Sequence, residues 1–142
     1  MAKWNIFDRY VPADLDSGGP PAGDHWETED EASYAAVMTQ LFLNERNAAI
    51  KRTGGNLVSL DILTIDPAFQ RRGAGDALVK WGTALADRMG VEAVVESSVF
   101  GKGLYEKNGY VFVKDVVAKA PHEQWEGRPE GRFAWMVRPR RE

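Results

Sequence analysis

"LDILTIDPAFQRRGAGDALVKWGTALADRMG", residues 60–90, is the stretch on which the fold turns. It opens as an apolar run, breaks at Asp66-Pro67, passes through a basic turn holding Gly73 and Gly75, and resumes at helical spacing. With Leu57 to Leu60 in front, the apolar run 57–65 is hydrophobic on both alternating faces apart from Ser59, Asp61 and Thr64, the pattern of a central strand covered on both sides. Leu78, Trp81, Leu85 and Met89 recur at spacings of three and four and predict a helix, which Gly90 stops. "VEAVVE", 91–96, follows after a minimal connection, so strand, helix and strand form a βαβ unit with a parallel pair.

Outward from that unit, Thr28 and Glu31 have capping-box spacing, and Tyr34, Val37, Met38, Leu41 and Phe42 carry a helix from near Asp30 to about Arg52, where Gly54-Gly55 ends it. Residues 2–7 read as a short strand and 8–29, rich in Gly, Pro and acid, as a loop or linker. Residues 101–107 predict a short helix, and 110–117 and 132–137 two strands that pair antiparallel. The expectation is one α/β domain over 1–142, with a mixed sheet in the order strand, loop, helix, strand, helix, strand, short helix, strand, strand. The final "RPRRE" reads as a solvated tail, and Trp81 as core.

Composition narrows the function classes. The 142 residues are 44% hydrophobic and 27% charged with a net charge of -3, ordinary for a globular chain and against a protein whose main task is neutralising nucleic-acid phosphates. There is no cysteine and there are two histidines, His25 and His122, which removes thiolate nucleophiles, disulfides and the usual zinc arrangements. No apolar run reaches the ~18 residues of a membrane span and no signal pattern opens the chain, which leads us to expect a cytoplasmic protein without membrane or nucleic-acid partners.

The basic turn sits where a strand delivers the chain to the first turn of a helix. The leading amides of a helix lack internal partners and carry about half a positive charge. Glycines at 73 and 75 admit a phosphate close to the backbone, and Arg71 and Arg72 add charge, so the expected ligand is a phosphorylated cofactor. The alternative for the two arginines is a solvated basic turn. A P-loop is excluded because no Gly-x4-Gly-Lys-Ser/Thr run exists, and the dinucleotide fingerprint because its third glycine would stand at Leu78.

"QRRGAG" resembles the signature of the GNAT family of N-acetyltransferases, Gln/Arg-x-x-Gly-x-Gly/Ala, at Gln70, Gly73 and Gly75. The downstream "GLYEKNGYVFV" is similar to the family's Tyr-x-x-x-Gly-Phe/Tyr segment, and the helix 31–52 looks like fungal members. The resemblance implies that residues Gln70, Arg71, Arg72, Gly73, Ala74 and Gly75 hold the pyrophosphate of acetyl-CoA, and that the backbone of Leu63, Thr64 and Ile65 pairs with its pantetheine arm, as a peptide adds to a strand edge. It implies an oxyanion contact from an N–H near Ile65, and a tyrosine, Tyr105, that protonates the departing thiolate. Ser98 falls where the family often has an asparagine contacting the arm.

For the general base the residues offer Glu96, otherwise a solvated strand end, and Asp61, an acid that needs a partner or a route to solvent inside an apolar strand. Family members usually have further strands and helices before the strand at Leu57. Their absence predicts an open sheet edge and an apolar flank, filled by self-association into a dimer, another chain or a rearranged N-terminal segment. The expected activity is acetyl transfer from acetyl-CoA to an amine, on a small molecule or a peptide. The alternative is a domain that keeps the fold with lost or changed chemistry.

Overall fold

The computed structural model describes residues 1–17, 23 and 25–142. Part of the loop expected over 8–29 therefore lies outside the described residues. Five strands, β1 (Ala2–Asp8), β2 (Asn56–Leu63), β3 (Glu92–Ser97), β4 (Val111–Ala118) and β5 (Gly131–Arg138), make one mixed sheet ordered β1-β2-β3-β5-β4. The β2–β3 pair is parallel and the other three pairs are antiparallel. Among the described residues three α-helices accompany it: α1 (Glu29–Arg52), α2 (Ala74–Met89) and α3 (Lys102–Lys107).

The helices divide between the two faces. On one, α2 and α3 cover Val58, Leu60, Ala93, Val95 and Met136, and on the other Ala49 and Ile50 of α1 cover Leu57, Val94, Phe133 and Trp135. Successive residues of β2 and β3 thus enter opposite cores, which is why both strands carry apolar residues on both faces. α1 begins as its sequence requires: Thr28 Oγ1 accepts from the Glu31 amide at 3.1 Å. The Glu31 carboxylate reaches back one residue further than the standard box, accepting from the Glu27 amide at 3.2 Å.

Two expectations are corrected. Trp81 is 54% exposed, because α2 turns Val79, Gly82, Thr83 and Ala86 to the sheet and leaves Leu78, Leu85 and Met89 half-buried along its margin. Trp81 leans toward Trp4 of edge strand β1, ring centroids 6.5 Å apart, with Ile6 exposed beside them. The expected solvated tail is solvated only beyond its first residue. Arg138 is 3% exposed: Nη1 and Nη2 donate to Asp87 of α2 at 2.7 and 3.0 Å, and Nε donates to the Asn108 carbonyl at 3.0 Å.

The contact between β1 and α2 is close enough to need a missing Cβ. A methyl on Gly82 would overlap the Trp4 indole, whereas one on Gly103, on the exposed side of α3, meets nothing within 4 Å. Gly82→Ala is therefore expected to destabilise the fold by about 1 kcal/mol or more, overpacking outweighing the gain in helix propensity. Gly103→Ala is expected to stabilise it by ~0.5 kcal/mol. Urea denaturation of the two variants measures both signs.

Candidate functional site

The site is built where β2 and β3 part. Their parallel ladder runs from Leu57↔Glu92 to Leu60↔Val95 and stops there, although β2 continues to Leu63 and β3 to Ser97. The cause lies in the pairing with β1, where Lys3 sits opposite Ile62 and Trp4 opposite Leu60, so that Asp61 is the extra residue of a β-bulge. A bulge bends its strand and breaks the ladder locally. Past it, both backbone groups of Thr64 bond to Met1, at 2.9 and 2.6 Å. The pairing expected of Thr64 is thereby taken up on the β1 side. Leu63 and Ile65, one residue to either side, turn to the cleft, and the Ile65 amide has no acceptor among the described residues.

Beyond the strand, Asp66 caps a short 3-10 turn, Pro67–Phe69, by accepting from the Ala68 amide at 2.8 Å. Gln70 ties the turn back, its Nε2 donating to the Ile65 carbonyl at 3.2 Å. Arg71, at φ 60°, and Gly73, at φ 84°, then take left-handed conformations, which aim consecutive N–H groups inward. A non-glycine residue held there costs ~1–2 kcal/mol, strain that gathers at ligand sites.

Gly73 is the N-cap of α2 and no side chain caps the helix. Among the described residues, none of the amides of residues 71–76 has an acceptor. A Cβ on Gly73 would stand in open space, and Gly75 lies against Leu104 and Ile65. Arg71 and Arg72 are exposed, carry no ion pair among the described residues, and Arg72 lies over the Phe69 ring at 5.7 Å. A run of free amides, the positive end of a helix and two loose guanidinium groups make an anion cradle. Around it, apolar side chains stand in water on both connections that leave the C-terminal ends of the parallel strands: Phe69 57%, Val99 82% and Phe100 98% exposed.

Asp76, in the first turn of α2, would oppose an anion were its charge free. It is not, since Lys80 approaches at 2.6 Å, Lys107 at 3.7 Å, and Asn108 Nδ2 donates at 2.9 Å. The Lys80 and Asn108 hydrogen bonds hold its carboxyl down to about 2.

The residues expected to be catalytic do not form one constellation. Tyr105 is buried with the α2 core, its ring edge-on to Tyr110, and burial alone pushes its hydroxyl upward, so it is protonated at neutral pH. From the reference values a phenol is the weaker acid by ~1.5 units, so full transfer to a free thiolate runs uphill and burial widens the gap. Glu96 and Asp61 lie on the other face, and Arg46 of α1 binds both. Its Nε and Nη2 donate to the two Glu96 oxygens at 2.9 and 2.6 Å, and Nη1 donates to Asp61 at 2.9 Å.

Glu96 is thus no solvated strand end. Its side chain is 2% exposed with both oxygens engaged. Burial works to raise the Asp61 carboxyl, but Lys3, at 2.7 Å, and Arg46 outweigh it and hold it below the usual range, which makes Asp61 a poor base. Ser98 Oγ accepts from the Gly101 amide at 3.3 Å and its carbonyl from Ser97 Oγ at 2.7 Å, so it closes the turn into α3. Sequence reading missed Arg46. Its signal was a charged residue at helical spacing between two apolar ones, four after Phe42 and four before the buried Ile50.

An acetyltransferase (GNAT) domain model matches residues 29–121, well over half of the chain. The chain belongs to the GNAT acetyltransferase family. Solved acetyltransferase structures share the fold: a mosquito arylalkylamine N-acetyltransferase-like 5b protein (TM-score 0.64, 16% identity, 96% of this chain and 65% of that one). An agmatine N-acetyltransferase variant follows (0.59, 13%, 78% and 57%). A Corynebacterium glutamicum protein, described as histone acetyltransferase HPA2 and related acetyltransferase, is a third (0.52, 18%, 99% and 57%). This chain spans between 57% and 65% of the length of those three. No curated protein matches. In this GNAT chain the parted strands and the cradle are contiguous, one leading into the other through residues 63–76.

Because the folded carboxyl of Asp76 lies below its unfolded value of 3.8, its contribution to stability is present above about pH 4 and is lost as the pH falls through about 2. The carboxyl carbon of Asp76 is expected to titrate with a midpoint near 2 by NMR, and Asp76→Asn to flatten the loss of stability between about pH 4 and 2.

Proposed function

We propose that this chain binds acetyl-CoA in the cleft between β2 and β3 and transfers the acetyl group to an amine on a small molecule. The observation that carries the reading is the run of free amides at residues 71–76, facing open space at Gly73 and flanked by unpaired arginines. Those groups fit a diphosphate by count, sign and access. The cofactor supplies an acyl group activated as a thioester.

The chain's own part is then as follows. Residues 71–76 hold the diphosphate, the backbone of Leu63 and Ile65 aligns the arm, and the free Ile65 amide polarises the acyl carbonyl. The amine nitrogen bonds to the carbonyl carbon, the C–S bond breaks, and the amine proton leaves to water, since Asp61 and Glu96 are both held by Arg46. Tyr105 offers a hydrogen bond to the sulfur as the bond breaks, partial donation being enough where full transfer is uphill. The proteins sharing the fold are named for arylalkylamines, agmatine and histones, so the choice of a small acceptor rests on the open, partly apolar surround of the cleft.

A second reading is favoured by one observation: the two carboxylates best placed to act as a base are saturated by Arg46. It makes the chain a CoA-binding module without turnover. Calorimetry with acetyl-CoA and a thiol-release assay over an amine panel separate the readings. Micromolar binding with thiol release supports transfer, binding without release supports the module, and no binding at millimolar cofactor removes both. Tyr105→Phe is expected to lower kcat by about 10²-fold with binding retained, and an unchanged rate removes Tyr105 from its role.

A further inference from the structure

We propose that Arg46 is a positioning residue, a strut that fixes the width of the cleft between β2 and β3. Leu60↔Val95 is the last rung of the parallel ladder, and the next residues of the two strands are Asp61 and Glu96. At the position where the next rung would form, the chain thus has two facing carboxylates, which repel each other. The Arg46 guanidinium lies between them, on the α1 face, and donates three hydrogen bonds of 2.6 to 2.9 Å, two to Glu96 and one to Asp61. A carboxylate–guanidinium–carboxylate bridge spans more than the ~4.8 Å of a ladder rung, so it links the strands while keeping them apart.

The bridge is held on every side. The Arg46 residue is 7% exposed, the Glu96 side chain 2% and the Asp61 side chain 24%, and Lys3 of β1 takes the second Asp61 oxygen at 2.7 Å. Two positive and two negative groups therefore balance across α1, β1, β2 and β3. Arginine is needed for its shape as much as its charge. A planar fork can serve two carboxylates at a fixed separation, whereas a lysine ammonium is a single point on a flexible stem. The consequence for function rests on the cleft being the acetyl-CoA site: the strut sets the gap into which the pantetheine arm adds, and it has no contact with the phosphate cradle at residues 71–76.

The test compares wild type with Arg46→Lys, which keeps the charge, and with the triple variant Arg46→Met/Asp61→Asn/Glu96→Gln, which removes the strut without stranding buried charge. Two ligands are titrated calorimetrically: acetyl-CoA, and adenosine 3′-phosphate 5′-diphosphate, which has the phosphates and lacks the arm. Both variants are expected to bind acetyl-CoA roughly tenfold more weakly and the nucleotide fragment as wild type does. Equal loss for both ligands, or no loss for either, overturns the proposal. Hydrogen exchange on the ligand-free proteins supplies an arm independent of the cofactor reading. In Arg46→Lys the amides of residues 96–97 are expected to exchange about tenfold faster with those of Val58 and Ala93 unchanged, and a uniform change or none counts against the strut whether or not acetyl-CoA binds.

Discussion

The parting of two parallel strands is the constraint on which the rest depends, and it begins at a bulge whose extra residue is an acid. Asp61 is the extra residue of the bulge that takes β2 out of register, and its carboxylate requires a cation where neighbouring positions are sealed by Leu57, Val58 and Leu60. Arg46 meets that requirement from α1, and in doing so anchors the long helix to the mouth of the cleft. For Arg46 itself burial works against the charge, yet the bonds to Glu96 and Asp61 more than compensate and hold its pKa raised. Removing Arg46 would leave the Glu96 carboxylate as an uncompensated buried charge, which is why the cluster depends on its central guanidinium.

The two faces of the sheet divide the chemistry. The α2 side carries the anion cradle, the Tyr105 hydroxyl and the close packing of Leu104 against Gly75. The α1 side carries the charged cluster. The gap between β2 and β3 lies between them, with the basic turn on its α2 side and a charge-paired couple of carboxylates on its α1 side. The α2 side is thus suited to an anion, while the carboxylates of the α1 side are already engaged by cations.

Local signals were legible in the sequence and longer-range ones were not. The capping residue Thr28, the glycine stop at Gly90, the double-sided apolar run of β2 and the glycine-arginine turn all act within a few residues of themselves, and each lies where its spacing predicted. Trp81 misled because a large aromatic on a three-and-four stripe looks like core, yet the face of α2 that meets the sheet is the small-residue one, where Gly82 admits Trp4. The roles of Glu96 and Arg138 depend on partners 50 and 51 positions away, which no local pattern encodes. Asp61 was half legible: the need for a partner showed in the strand, the partner's identity did not.

Asn108 is worth following one step further. Its side chain donates to Asp76 at the start of α2 and to the Leu104 carbonyl within α3, while its own carbonyl receives Arg138 from the end of β5. Three elements are pinned to a single residue. The helix that bears Tyr105 is thereby coupled to the opening turn of its neighbour, so that a tilt of one is resisted by the other and by the end of the last strand.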